Sequence, residues 1–213
     1  PGSGEIDIIG GAGNDVTING ETLTMSTANK DELTGDDITI DLSNDTAVSA
    51  ITGSITAAND VSITGGNIDV TDDIVATAGD ISISSTADVS ATNLTAADTI
   101  TIGNSAKVTV ATETTAAGGV SITGSGAVNL GLFDGQVLSA SAATGKITVT
   151  STDGGAGSIL LVTGSNDDSL TITDNVVHTI RSGGGNDTIV IATNVAAASS
   201  ISTEAGADSV DLN

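Results

Sequence analysis

Short triplets of apolar, polar and apolar residues recur along the chain and predict β-strands. The first series runs from residue 61 onward with steps of 17 to 22 residues, and its triplets begin at Val61, Ile81, Ile100, Val120, Val137, Ile159, Ile180 and Ile201. Side chains alternate between the two faces of a strand. The flanking Ile and Val residues should therefore face an interior, while the middle Ser or Thr faces solvent.

A second series of triplets is interleaved with the first. Its members begin at Val89, Val108, Val128, Ile147, Leu170, Ile189 and Val210, at steps of 19 to 23 residues. Two series with this period predict two strands and two turns per repeat, and a period of this length is typical of a solenoid. The connections are too long for two-residue hairpin turns, and no 3.6-residue apolar stripe favours helices.

The predicted fold is therefore all-β, a right-handed parallel β-helix or β-roll solenoid with coils of about 20 residues. Residues 1–60 are less regular and form N-terminal coils, and residues 61–213 form the regular solenoid. The chain lacks an initiator Met and ends in a strand-like stretch. We therefore expect it to be a segment of a longer protein.

Composition and charge narrow the classes of partner. The 213 residues include 27 acidic and only 4 basic ones, for a formal net charge of -23, but 38% are hydrophobic, enough for a packed core. Such a surface repels nucleic acid and attracts divalent cations. No apolar run approaches the ~18 residues of a membrane span, so membrane insertion is not expected.

Two glycine-rich stretches carry the candidate chemistry. They read Gly-Gly-Ala-Gly-Asn-Asp-Val-Thr-Ile over residues 10–18 and Ser-Gly-Gly-Gly-Asn-Asp-Thr-Ile-Val over residues 182–190. Both resemble the nonapeptide repeat of calcium-binding RTX proteins, a parallel β-helix signature. The resemblance implies that calcium binds between adjacent coils. The implied ligands are Asp15 and Asp187, and the implied turn glycines are Gly11, Gly13, Gly183 and Gly185.

Weaker copies of this turn occur near the C-terminus. Asp168 and Asp208 each stand two residues before an apolar strand position, at 19 and 21 residues from Asp187. This spacing predicts one column of stacked carboxylates. The carboxylates repel one another, and a cation bound between them would relieve this repulsion. The alternative is that such aspartates are ordinary turn formers. For Asp60, Asp80 and Asp88 we expect that alternative, a solvated turn.

The resemblance extends to Gram-negative surface-layer proteins and large repeat adhesins. It implies a structural, non-enzymatic module on the bacterial cell surface, extracellular, with calcium as its cofactor. Expected partners are copies of the chain, other parts of a longer parent chain and cell-surface polysaccharide. A β-helical polysaccharide-degrading enzyme and an ice-binding solenoid remain open alternatives. The only histidine, His178, cannot build a transition-metal site without Cys or a second His, and is predicted to have a plain surface or strand role.

Overall fold

The chain forms a parallel β-solenoid, as the triplet pattern predicts. The computed structural model describes residues 8–9, 13–19, 32–42, 48–51, 53–152 and 157–213, and within these ranges the regular structure is all strand. In this part of the chain no helix has the length and apolarity to cross a membrane.

The strands are short and are numbered here in chain order. The first eight are β1 (Ile8–Ile9), β2 (Val16–Asn19), β3 (Leu33–Gly35), β4 (Ile38–Leu42), β5 (Val48–Ile51), β6 (Ile55–Ala57), β7 (Val61–Gly65) and β8 (Asn67–Val70). The next eight are β9 (Asp73–Ala76), β10 (Ile81–Ser84), β11 (Val89–Ala96), β12 (Thr99–Gly103), β13 (Val108–Ala116), β14 (Gly119–Gly124), β15 (Val128–Gly135) and β16 (Val137–Ala143). The last seven are β17 (Ile147–Ser151), β18 (Ser158–Val162), β19 (Ser169–Ile172), β20 (Val177–Arg181), β21 (Thr188–Ile191), β22 (Ser200–Ser202) and β23 (Ser209–Leu212).

All pairings between these strands are parallel, which excludes the hairpin arrangement for the described residues. One sheet, here sheet A, has 13 strands, and the other, sheet B, has 10, in the order β2-β4-β7-β10-β12-β14-β16-β18-β20-β22. Neighbouring strands in sheet B are about one coil apart in sequence, so Ile81 pairs with Val61 on one side and Ile100 on the other. The predicted coil of about 20 residues is confirmed.

The core is a set of aliphatic rows that run along the solenoid. In sheet B, Ile38, Val61, Ile81 and Ile100 stack in register and are at most 1% exposed. Between such positions Ser82, Thr101 and Ser121 are exposed. Full burial of a Val or Ile side chain stabilises the fold by about 1.5–3 kcal/mol. Since the residue above and the residue below provide this burial, each coil depends on its neighbours.

The prediction of two strands per repeat is wrong for the middle of the chain. Residues 48–135 have a third strand in each coil, formed first by β5 with β6 and by β8 with β9. In β11, β13 and β15 it becomes the second half of one strand that bends at a register shift. From β17 onward one strand of each sheet forms the coil, so the solenoid changes from three-sided to two-sided.

Val137 faces outward, against the expectation that flanking triplet residues face inward. In β16 the buried positions are Leu138, Ala140 and Ala143, and Val137 is 37% exposed. Leu138 pairs with the buried Val120, which fixes the alternation over the first half of the strand, before a register shift. A shift of one residue exchanges the faces of a strand completely.

The last coil leaves its apolar side chains uncovered. All residues of β22 and β23 are exposed, including Ile201 at 36%, Val210 at 43% and Leu212 at 73%. These positions continue the aliphatic rows, because Ile201 pairs with Ile180 and Val210 with Ile189. The face therefore repeats the contact surface that joins the preceding coils. The boundary predicted between residues 1–60 and 61–213 stays a prediction.

Candidate metal centre

Three stacked turns form the corner that leads into β19, β21 and β23. Glycine is required there because successive turns approach backbone to backbone. Gly183 and Gly185 have φ of 80° and 119°, which L side chains rarely adopt. A Cβ at Gly183 would overlap the carbonyl oxygen of Gly164, and one at Gly185 would lie 2.5 Å from the Asn166 carbonyl. The turns thus stack closely enough for side chains of one coil to bond the backbone of the next.

The predicted column of aspartates forms at this corner. Asp168 Oδ1 accepts the Ile147 N–H at 2.7 Å, Asp187 Oδ1 accepts the Asp168 N–H at 2.9 Å, and Asp208 Oδ1 accepts the Asp187 N–H at 3.0 Å. Each carboxylate therefore reaches back by one coil and satisfies a backbone donor. We call Asp168, Asp187 and Asp208 the C-terminal aspartate column.

Two members of the C-terminal aspartate column are buried and only half satisfied. Asp168 and Asp187 are each 1% exposed, and the Oδ2 atom of each is buried without a hydrogen-bond partner. In the described part of the chain neither carboxylate has a Lys or Arg ion-pair partner. A buried, unpaired carboxylate oxygen is costly, and such atoms usually indicate an ion or water.

Burial sets the protonation behaviour of Asp168. Loss of solvent raises the pKa of its carboxyl, and the nearby Asp187 carboxylate raises it further. This rise is opposed by polar N–H and O–H groups near the carboxylate, which are those of Ile147, Thr163 and Gly164. Of these, the Thr163 hydroxyl and the Gly164 N–H make no hydrogen bond of standard geometry to Oδ2. Asp168 and Asp187 thus repel each other across one coil step, and a cation between the coils would relieve both effects.

A second ladder runs along the outside of the same turns and was not predicted. Asp167 Oδ1 accepts the Asn186 N–H at 2.6 Å, and Asn186 Oδ1 accepts the Ala207 N–H at 2.9 Å. These residues are exposed, and their spacings of 19 and 21 residues match those of the buried column. In the turns at 167–168 and 186–187, the first side chain of the pair therefore bonds the next coil at the surface, and the second, Asp168 or Asp187, bonds the preceding coil in the interior.

The structure places the first glycine-rich motif at a different corner. Asp15 precedes β2 in sheet B and is exposed, whereas Asp187 precedes β21 in sheet A. Gly13 has φ of 79°, and a Cβ added to it would have no atom within 4 Å. Gly11 lies outside the described residues. The two motifs are thus not brought together, and the calcium role of Asp15 stays a prediction.

Asp15 lines up with Asp37, Asp60 and Asp80, each directly before a strand of sheet B, whereas Asp88 precedes β11 in sheet A. Asp37 Oδ1 accepts the Asp60 N–H at 3.1 Å, and Asp60 Oδ1 accepts the Asp80 N–H at 2.8 Å. Asp60, Asp80 and Asp88 are exposed, as expected. We call Asp15, Asp37, Asp60 and Asp80 the N-terminal aspartate column. The carboxylates of Asp37 and Asp60 reach forward to the following coil, opposite to the direction in the C-terminal aspartate column.

The C-terminal corner offers oxygen donors alone. Among the described residues no group of three or more His, Cys, Asp or Glu side chains is close enough to hold a metal. A site here would combine the carboxylates of Asp168 and Asp187 with backbone carbonyls of the glycine-rich turns. Carboxylate and carbonyl oxygens suit a hard cation such as calcium, so the residues present fit the ion that the resemblance implies.

His178 belongs to β20, as a strand role predicts, but its side chain is fully buried and not at the surface. It lies in phase with the buried Ile180 and packs near Asp174 in the connection before β20.

Comparison of the chain with protein-family models, with curated proteins and with solved structures gives no match.

Proposed function

We propose that this chain is a calcium-stabilised structural module of an extracellular bacterial assembly, such as a surface layer, a surface filament or a large adhesin. One observation carries the proposal. Asp168 and Asp187 are buried in successive coils, and each has an Oδ2 atom without a hydrogen-bond partner. A divalent cation between these turns would satisfy both atoms and cancel their repulsion.

The charge and donor set support calcium as that cation. The chain carries 27 acidic residues against 4 basic ones, which raises the local concentration of cations. The carboxylates of Asp168 and Asp187 would bind the ion together with carbonyls of the turns at Gly183 and Gly185, and Asp208 would take the same position one coil further on. Calcium supplies no reaction here. It neutralises buried charge and links one coil to the next, so binding contributes directly to folding.

The arrangement of the rest of the chain supports a structural role. Parallel coils share a core that is one hydrophobic cluster, from Val16 to Ile191 among the described residues. The uncovered side chains Ile201, Val210 and Leu212 repeat the surface that joins the coils. We infer that another coil binds there, from a second copy or from a longer parent chain. Cell-surface polysaccharide remains an expected partner.

The two alternative functions receive no specific support. The outward row of hydroxyl residues in sheet B passes from Ser121 through Ser139 to Val162 and Arg181, which interrupts an array of the kind that ice binding needs. For the enzyme, the buried Ser151 hydroxyl lies 3.3 Å from an Asp174 carboxylate oxygen. Hydrolysis of a polysaccharide uses two carboxyl groups that flank the substrate, and this buried contact supplies only one.

Calcium-dependent thermal unfolding tests the metal role. We expect calcium to raise the melting temperature relative to a chelator, since a ligand at 100 times its Kd stabilises the folded state by about 2.7 kcal/mol. Asp187→Asn keeps an acceptor for the Asp168 N–H but removes the charge, so it should abolish most of the calcium response. In the chelator the same substitution should cost little or even stabilise, because it removes a buried charge.

Asp88→Asn is the matched control for that experiment. Asp88 is exposed and accepts the Lys107 N–H at 3.0 Å, as Asp187 accepts the N–H of Asp168. The Asp88 variant should keep the full calcium response. A wild-type melting temperature that is the same in calcium and in chelator would refute the metal role. An equal loss of response in both variants would refute the assignment to the C-terminal aspartate column.

A further inference from the structure

A hollow of about 270 Å³ opens where the ends of β18 and β20 meet the glycine-rich turns. The residues that line it with side chains are Ser141, Val162, Thr163, Ser165, Arg181 and Glu204. Gly164, Gly183 and Gly184 also line it and contribute backbone only. Pockets for small molecules have volumes of about 300–1,000 Å³, so this hollow has room for a small ligand such as a single sugar unit.

Arg181 brings a positive charge to the hollow. It is the last residue of β20, faces the outer side of sheet B and is exposed. Its register neighbours, Val162 in β18 and Ser202 in β22, carry no charge. In the described part of the chain no carboxylate lies within ion-pair distance of its guanidinium. In a chain with 27 acidic and 4 basic residues, an arginine without an acidic partner leaves its N–H donors available to a ligand.

Glu204 lines the hollow from the last turn, in the position that Gly183 has one coil earlier, since Gly184 pairs with Ala205. Its φ of 59° is the only positive φ of a non-glycine residue in the described ranges. Left-handed backbone is unfavourable for a residue with a Cβ, and such strain concentrates at functional sites. Glu204 is exposed and makes no ion pair with Arg181. The hollow thus holds a cationic donor and an anionic acceptor that do not neutralise each other.

These groups define a ligand by charge and hydrogen bonding. A guanidinium binds a carboxylate through parallel N–H···O bonds. The carboxylate of Glu204 only accepts, so it favours hydroxyl donors and repels a second anionic group. The exposed hydroxyls of Ser141 and Ser165 can donate or accept. A ring that carries one carboxylate and several hydroxyl groups satisfies all of them, and this is the chemistry of a uronic acid.

We propose that the hollow at Arg181 binds a uronate unit of an acidic polysaccharide. The carboxylate of the sugar pairs with Arg181, and its hydroxyl groups donate to Glu204. The choice of a polysaccharide as the source rests on the proposed surface role, whereas the uronate site itself needs no calcium. Ion pairs of an exposed arginine are weak, so one sugar unit should bind with a Kd on the order of 1–10 mM. Several copies of the chain that bind one polymer would raise this affinity.

NMR titration of nitrogen-15-labelled protein tests the site with two ligands that differ only at C6. Methyl glucuronoside, with a carboxylate there, should shift the amide signals of residues 163–165 and 181–184 and bind about five- to tenfold more tightly than methyl glucoside. Arg181→Gln should remove this preference. Lys146→Gln removes another exposed positive charge, before β17, and should keep it. Equal affinities of the two ligands for the wild type, or an equal loss in both variants, overturn the proposal.

Glu204→Ala tests the second group of the site. It removes the acceptor for sugar hydroxyls, so both ligands should bind about two- to tenfold more weakly. Unchanged or tighter binding overturns the role of Glu204.

Titrations in chelator and in calcium separate this inference from the metal role. Binding that depends on Arg181 in both buffers supports the uronate site even if calcium does not change the melting temperature. If the amide spectrum shows that the chain unfolds in chelator, the series in calcium decides, because calcium bridging does not need the arginine. A trimer of glucuronate that binds at least as tightly as the monosaccharide supports a polysaccharide as the source, and a trimer that does not bind overturns that source.

Discussion

The substitution Gly185→Ala tests the close stacking on which the candidate site depends. Gly185 has φ of 119°, and a Cβ built on it lies 2.5 Å from the Asn166 carbonyl carbon and oxygen and 2.9 Å from the Asp167 nitrogen. Ordinary contacts are about 3.5–4.0 Å, so the two turns must separate by about 1 Å. Adjacent ladder bonds, such as Asn186 N–H to Asp167 at 2.6 Å, would lengthen with them.

The magnitude follows from two contributions. Left-handed backbone costs a residue with a Cβ about 1–2 kcal/mol, and overpacking against backbone costs about 1–3 kcal/mol. Together they destabilise the fold by about 2–5 kcal/mol, which at about 2–4 °C per kcal/mol lowers the melting temperature by roughly 5–20 °C. Thermal unfolding followed by circular dichroism measures this shift.

Gly184→Ala provides the control at the adjacent residue. Gly184 lacks the left-handed φ, and the nearest atom to its built Cβ is the Ala205 carbonyl oxygen at 3.7 Å. Its effect should stay within about 0.5 kcal/mol. If the two variants melt at the same temperature, the turns are not stacked as described, and the approach of the carboxylates across the coil step loses its basis.

Two further predictions concern residues of the core. The first concerns the raised pKa of Asp168 in the presence of chelator. The stability that arises from it is full below about pH 3.9 and is lost as the pH rises through the raised pKa. The urea denaturation midpoint of the wild type should therefore fall between pH 4 and 7 by an amount that Asp168→Asn removes, and an equal pH dependence in both proteins would contradict this. The second is that Phe133→Ala lowers the free energy of unfolding by about 3–5 kcal/mol, since this ring is 0% exposed. Leu132→Ala, at a residue that is 41% exposed, should lower it much less. Equal urea denaturation midpoints for the two variants would argue against burial of Phe133.

The solenoid could be predicted from the sequence because its interior rows are strongly apolar. Triplets such as Val61-Ser62-Ile63 mark both the strand and its inward face. The third face was missed because many of its inward positions are small or polar. They include Ala96, Thr114 and Ala116, and in β15 Phe133 is followed at the next inward position by Gly135. A period of 19 or 20 residues links Ile55, Ile74, Leu94, Thr114 and Phe133, so the signal was present.

The candidate site was predicted in part. The spacing of Asp168, Asp187 and Asp208 is enough to place them in one column, because it matches the coil length. The burial of Asp168 and Asp187 could not be predicted, since an aspartate in a turn is solvated unless adjacent turns close over it. The burial of His178 was also missed, although its spacing from Ile180 indicates an inward position. A polar residue at such a position gives no indication of its partner before the fold is known.

Parallel stacking has a mechanical consequence for any assembly that bears load along the rod. The hydrogen bonds between coils run along the axis, so tension opens them one row at a time, as in unzipping. A step from Ile81 to Ile100 spans 19 residues and occupies only about 4.8 Å of rod. Once extended, the same residues span roughly 60 Å. Each released coil thus becomes more than ten times longer, so the molecule can extend step by step under tension.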